Sequence, residues 1–305
     1  SLQRITGVTL TRAFGEGERI GVRGTSPSQN RTYLNGQNIA SGDWWISSQP
    51  NRGFNYTMLP AEIVSSLEVI KSSEADLDEG SLGGSLSIKT HKPLSADDFT
   101  FAGSAQLQYS PLSGKFDPQL SALYNWQNTE KTFGVLASFT RHQRDLRRDG
   151  LESWGWAERN FNETEKGDLA LTEDENAEYK KLWTPAGGGS AIFKQERVRT
   201  SSTLTLEWQP DTDWHYQLNL LYSVLDANNV NQNFLWLPSW GSARGGVISD
   251  FDIEDNTLTY GRYSQVDSNS KSPFSTGMES IWRKSRIDTS SYHLVVEHDY
   301  DYWQT

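Results

Sequence analysis

From residue 99 onward, apolar and polar residues alternate with period two, the mark of strands with one apolar and one polar face. Over 99–109, Phe99, Phe101, Gly103, Ala105, Leu107 and Tyr109 are apolar or small, and Thr100, Ser104, Gln106 and Gln108 stand between them. Leu120, Ala122, Tyr124 and Trp126 repeat the pattern, as do Phe133, Val135, Ala137 and Phe139. Three more runs follow, over 197–208, 214–224 and 292–302. The pattern predicts six two-faced strands. A β-sandwich shares this alternation with a β-barrel, so periodicity by itself leaves both open.

Connections and aromatics favour a barrel in lipid. Residues 128–130 and 210–213 read as tight turns, whereas 148–190 and 227–282 read as long external excursions. Compact domains seldom hold structureless loops beyond ~15 residues, while outer-membrane barrels join short periplasmic turns to long external loops. Trp126 and Phe133 flank the first tight turn, Trp208 and Trp214 the second, and Tyr300 and Tyr302 close the last run. All lie on the apolar parity, as an aromatic girdle at a lipid–water interface requires. Arg141 and Arg147, on the same parity at the opposite strand end, suit either lipopolysaccharide phosphates or a solvated rim.

The first ninety-five residues have another texture. Short strands over 20–24, 32–36, 67–71 and 85–90 are punctuated by glycine, and Pro60 suits the first position of a helix over 61–65. This reads as a small α+β unit. Residues 1–95 hold nine basic and nine acidic side chains, whereas 96–305 hold 19 and 30, so the whole net charge of −11 lies in the second part. The run 92–98, with Pro93, Asp97 and Asp98, marks the joint.

Composition narrows the class. Only 35% of residues are apolar, yet Trp, Tyr and Phe number twelve each, which argues against disorder. The negative charge argues against nucleic acid as a partner. Without cysteine there is no disulfide framework or thiolate site. No run approaches the ~18 apolar residues of a membrane helix, but barrel strands escape that test.

Four motifs in order carry a resemblance. Residues 20–24 (Ile-Gly-Val-Arg-Gly), 33–36 (Tyr-Leu-Asn-Gly), 59–71 and 79–93 together resemble the plug domain of TonB-dependent outer-membrane receptors, most closely the large proteobacterial receptors linked to carbohydrate uptake. The resemblance implies a plug over 1–95 and the first strands of a transmembrane barrel over 96–305. It implies an outer-membrane importer, not an enzyme, driven by TonB with its inner-membrane complex and needing no cofactor. Barrels of this family have about 22 strands. At ~10 residues per strand, the chain supplies six, so it reads as a piece of a receptor whose coupling segment precedes Ser1. By the same resemblance Arg23, Glu62, Glu68 and Lys71 are expected to contact the barrel wall.

Candidate sites are weighed against plainer roles. The five histidines are scattered and no nucleophile motif or phosphate loop appears, so no catalytic or metal residue is assigned. Residues 74–80 lack the distal glutamate of a calcium loop, and Asp250, Asp252 and Glu254 on one side of an extended run read first as a solvated acidic loop. Asp43, Trp44, Trp45 and Arg52 follow the plug's Leu-Asn-Gly turn, in the part that the resemblance places at the apical loops. Trp154, Trp156, Trp236 and Trp240 lie in the excursions. Flat rings beside charged hydrogen-bonding groups suit an oligosaccharide, and packing among loops is the plainer role. The excursions are net acidic, which disfavours polyanionic cargo. The alternatives to carbohydrate import are a siderophore, metal-chelate or peptide receptor and, from another class, a secreted β-sandwich carbohydrate-binding module.

Overall fold

The computed structural model describes residues 5–14, 16–39, 42–45, 53–72, 77–160, 170–171, 181–238, 246–265 and 274–299. They divide into two compact units, one of residues 1–146, 195–229 and 283–305, the other of 147–194 and 230–282.

The first unit begins with a conventional apolar core. Strands β1 (Val8–Ala13) and β2 (Glu16–Val22) form a hairpin. Strands β3 (Asn30–Leu34), β4 (Gln37–Asn38), β5 (Val64–Ile70) and β6 (Gly84–Thr90) form a sheet in the order β4-β3-β6-β5, with β3 and β6 parallel. The β3–β4 turn is Asn35-Gly36, both at positive φ (50° and 84°), the two-residue turn whose twist matches the flanking strands. Ile20, Val22, Leu86, Ile88, Met58 and Ile63 fill the interior.

The helix expected over 61–65 is absent. A 3-10 turn, Ala61–Ile63, passes directly into β5, and Pro60 caps it rather than entering it. The cause is the run Ile63-Val64 and the alternation beyond it, which favour a strand; pairing with β6 then settles the choice. The described residues of this region hold no α-helix, so the α+β expectation gives way to sheets joined by 3-10 turns.

Gly83 lies where these sheets meet. A Cβ there would fall upon Thr25 Oγ1, Asn30 Oδ1 and the Val22 carbonyl oxygen, two of them already engaged by Thr25. Gly83→Ala is expected to destabilise this region by about 1–3 kcal/mol through overpacking, read as earlier denaturant unfolding and faster proteolysis within residues 5–90.

Strands β7 (Phe99–Ser110), β8 (Lys115–Gln127), β9 (Phe133–Ser153), β13 (Gly188–Trp208) and β14 (Trp214–Pro238) are consecutive neighbours in one large sheet. Strands β17 (Phe274–Arg283) and β18 (Arg286–His298) both pair with β14, β18 along 214–226. The six expected strands are β7, β8, β9, β13, β14 and β18, and the sheet is not closed among the described residues.

This sheet is inside out. On β8, Asp117, Asn125 and Gln127 are buried while Phe116, Leu120, Tyr124 and Trp126 are exposed. On β9 and β13 the buried positions include Ser138, Thr140, Arg197, Ser201, Thr205 and Glu207. Inward hydroxyls and amides satisfy one another, as in Ser138–Thr203 (2.6 Å), Ser201–Ser223 (2.7 Å) and Gln217 to Asn219 (2.9 Å). Leu204, Leu206, Leu218 and Leu220 lie on the opposite parity, none of them buried. A sandwich buries its apolar face; here the polar face is covered and the apolar face open, the arrangement of a lipid-facing barrel wall.

The excursions are far more regular than expected. Strands β9, β13 and β14 run to 21, 21 and 25 residues, well into 148–190 and 227–282. The second unit adds β10 (Trp156–Asn160), β11 (Ala170–Leu171), β12 (Lys181–Pro185), β15 (Gly246–Glu254) and β16 (Thr257–Gln265), a sheet in the order β10-β12-β16-β15-β11.

Candidate functional site

The first unit brings its N-terminal sheets and its large sheet together at a buried ion pair. Glu18 is on β2 and Arg197 on β13, and their side chains, each 6% exposed, meet at 2.7 Å. The Glu18 carboxylate also accepts the Trp44 indole N–H (2.7 Å) and the Asn55 amide (3.4 Å). Arg197 stacks its guanidinium over the Trp44 ring at 4.6 Å and donates to Gln195. Glu18 alternates with the buried Ile20 and Val22 on one face of β2, and Arg197 with Gln195 and Phe193 on the inward face of β13. Strand periodicity aims both charges at the same interior. A buried pair stands only if its remaining donors and acceptors are filled, and here Trp44, Asn55 and Gln195 fill several.

The neighbouring Trp45 packs against Phe14 (4.6 Å) and Trp44 (5.6 Å), with Arg283 over its ring at 4.5 Å. Between β17 and β18 the strand is interrupted at Lys284-Ser285, and there Ser285 donates to the Trp44 carbonyl oxygen (2.8 Å). Asp43 pairs with Arg19, whose guanidinium burial pulls below its ordinary range against the raising effect of Glu18.

A second set of contacts holds the segment 53–63. Arg199 donates to the carbonyl oxygens of Thr57 (2.9 Å) and Leu59 (3.4 Å), and Ser223 to that of Met58 (2.7 Å). Large-sheet side chains thus satisfy the carbonyls around the 3-10 turn Tyr56–Met58. The joint near residue 95 is fixed similarly: Leu94 N–H donates to Glu207 (2.9 Å), and Asn125 and Gln127 donate to the carbonyls of Asp97 (2.9 Å) and Ala96 (2.8 Å).

These positions revise the sequence expectations. Glu62 accepts from Gln119 of β8 (3.2 Å), a contact with the large sheet. Lys71 donates instead to the Thr6 carbonyl oxygen (2.8 Å), a bond within the N-terminal region, and Arg23 and Glu68 are exposed. Trp44, expected to offer a face to a sugar, is 3% exposed and covered by Arg197. Asp43 and Trp45 belong to the same clasp, and Arg52 lies outside the described residues. In the second unit Trp154 and Trp156 are exposed and Trp236 half-buried; Trp240 lies outside the described residues.

The girdle positions form ring contacts at one strand end. Trp126 meets Phe133 at 6.4 Å; Trp208 and Trp214 each stack on Tyr216, at 5.0 and 5.7 Å. Tyr216 was not foreseen as a member, and Tyr300 and Tyr302 lie outside the described residues. Arg141 is exposed and Arg147 pairs with Asp149 (2.9 Å). Bulges around Asp252 break the alternation expected of Asp250, Asp252 and Glu254, and Asp250 faces Arg262 at 3.6 Å. Among the described residues no three His, Cys, Asp or Glu are grouped to hold a metal ion.

Comparison with known proteins finds a likeness in the first region. Residues 1–85 match the family described as TonB-dependent Receptor Plug Domain. The match covers 85 of the 305 residues. A large antiparallel sheet, barrel-like in its exposed apolar face, follows it in the chain. No curated protein matches the sequence. Several solved structures are similar to it. The ferric citrate transporter FecA in its unliganded form is 13% identical over 98% of this chain and 51% of its own, with a TM-score of 0.38. The siderophore receptor PirA from Acinetobacter baumannii is 13% identical over 78% and 46%, with a TM-score of 0.35. The chain therefore spans about half the length of the solved structures it matches.

Proposed function

We propose that the protein imports an organic substrate across the outer membrane by TonB-dependent transport, with residues 1–95 as plug and the strands from 96 onward as barrel wall. The observation that carries this reading is the pairing of a plug match over 1–85 with a sheet whose covered face is polar and whose open face is apolar. A plug docked by polar contacts, Glu18–Arg197 chief among them, is one that a periplasmic pull can move: once the pull opens a contact, water solvates both partners, whereas apolar surfaces pulled apart gain no such compensation. TonB supplies the pull, and lipid and lipopolysaccharide surround Trp126, Phe133, Trp208 and Trp214.

On the cargo, we assign the exposed Trp154 and Trp156 to capture, and Asp43, Trp44 and Trp45 to docking of the plug. A carbohydrate cargo rests on the open tryptophans alone; no comparison favours it over a metal chelate, the cargo in the names of FecA and PirA. The test is uptake of a panel of labelled oligosaccharides and ferric siderophores by cells with and without this protein, each with TonB intact or deleted. Transport of one class is expected only when both proteins are present. Uptake through this protein that persists without TonB overturns the reading, and the class taken up decides the cargo.

A further inference from the structure

The five-stranded sheet of the second unit has two unlike faces. Leu182, Thr184 and Leu258 are buried on one. On the other, the β10–β12 register sets Glu158 opposite Trp183 and Trp156 opposite Pro185, and Trp183 lies beside Thr257 of β16. Glu254, opposite Thr257 across a hairpin turn at Asp255-Asn256, carries the same face onto β15. Trp156 and Trp183 are 52% and 46% exposed, and Glu158 and Glu254 are exposed as well. Two open indole rings and two carboxylates thus share one sheet face. The rings are diagonal cross-strand neighbours, a spacing of about 7–8 Å that one extended ligand can bridge.

We propose that this face binds amino-sugar oligomers, chains of rings that carry protonated amines. The chemistry of the face selects both features. An indole offers a flat apolar surface to the C–H side of a sugar ring, and its negative π-face attracts an ammonium group held beside it. Carboxylates at strand spacing accept charge-assisted hydrogen bonds from the same amines. The segment 148–190, which supplies β10 and β12, holds five basic and ten acidic residues, a balance that disfavours anionic sugars and favours cationic ones. A lysine peptide shares the charge but not the ring faces, so it leaves the tryptophans underused. The inference rests on the importer reading for its purpose, since capture precedes transport, but the binding itself needs no TonB.

The experiment is calorimetry on the whole chain in detergent, at mildly acidic pH, with glucosamine tetramer, N-acetylglucosamine tetramer and tetralysine as probes. Glucosamine tetramer is expected to bind at least about tenfold more tightly than its acetylated counterpart, and to weaken with salt. Trp156→Ala/Trp183→Ala is expected to reduce its affinity by about tenfold or more, and Glu158→Gln/Glu254→Gln by several-fold, with circular dichroism of each variant matching the parent's. Equal binding of the two sugars, tighter binding of tetralysine, no binding of glucosamine tetramer, or insensitivity to both variants overturns the proposal. Binding as expected without TonB-dependent uptake keeps the platform and removes the importer reading, so the two failures are distinguishable.

Discussion

Arg197→Ala is expected to loosen the plug by about 3–5 kcal/mol, because it strands the Glu18 carboxylate without its cation in a dry interior. Glu18→Ala should cost a similar amount, since it strands the Arg197 guanidinium and removes the acceptor of the Trp44 indole N–H. Each side chain is 6% exposed, so water cannot replace the missing partner without opening the contact. The double replacement Glu18→Met/Arg197→Met is expected to recover much of the loss, because two apolar groups of similar length leave no charge to solvate. Thermal unfolding in detergent and the rate of protease cleavage within residues 5–90 measure both effects. Single variants within about 0.5 kcal/mol of the parent would show the pair to be solvated in solution, since only surface substitutions are that mild. Loss of Trp44 packing accompanies either single change, so a strong coupling in the double-mutant cycle is the result that isolates the charge pair.

How much of this was legible beforehand follows from which interactions are local. Strands β7, β8 and the lower halves of β9, β13 and β14 declare themselves through side-chain alternation, which depends only on the residue two places away. The Asn35-Gly36 turn is equally local. The end of β9 beyond Arg147, where Arg148 and Asp149 blur the contrast between faces, reads as loop from its sequence, although its backbone continues as strand to Ser153. The error at 61–65 has the same origin: Pro60 is a sound start for a helix, but β5 is fixed by its partner β6, which lies beyond a chain reversal.

The clasp was legible only in part. Asp43, Trp44 and Trp45 stand out by their chemistry and by their place after the Leu-Asn-Gly turn, and the structure does gather them, but as packing elements. Their partner Glu18 is 179 residues from Arg197, and nothing near either residue announces the other. The signal available was that Glu18 and Arg197 interrupt otherwise regular inward faces, and an inward charge demands a counter-charge. The resemblance that nominated Arg23, Glu62, Glu68 and Lys71 as wall contacts could not sort them, because whether a strand face meets the large sheet or solvent is a property of tertiary packing. Among the described residues, Glu62 is the one of the four whose side chain meets a strand of that sheet, through Gln119.

Leu120→Arg is expected to cost about 2–4 kcal/mol in lipid, the range for a charge facing the bilayer midplane from a barrel strand. Leu120 is 50% exposed on β8, six residues from the girdle residue Trp126, a distance that sets it well inside the apolar band. The same change on a water-facing strand costs within about 0.5 kcal/mol, so the magnitude reports which solvent the open face meets. Folding measured in vesicles, with Leu120→Ala as the control for lost side-chain area, separates the two. A penalty confined to the vesicle measurement places β8 against acyl chains. A near-neutral result there would mean that the apolar face is covered by protein or water, and the inside-out pattern of Asp117, Asn125 and Gln127 would then need a partner other than lipid on its far side. The outcome bears on the plug as well: only a wall whose outer face is held by lipid leaves its inner face free to be built from the hydroxyls, amides and charges that grip the plug.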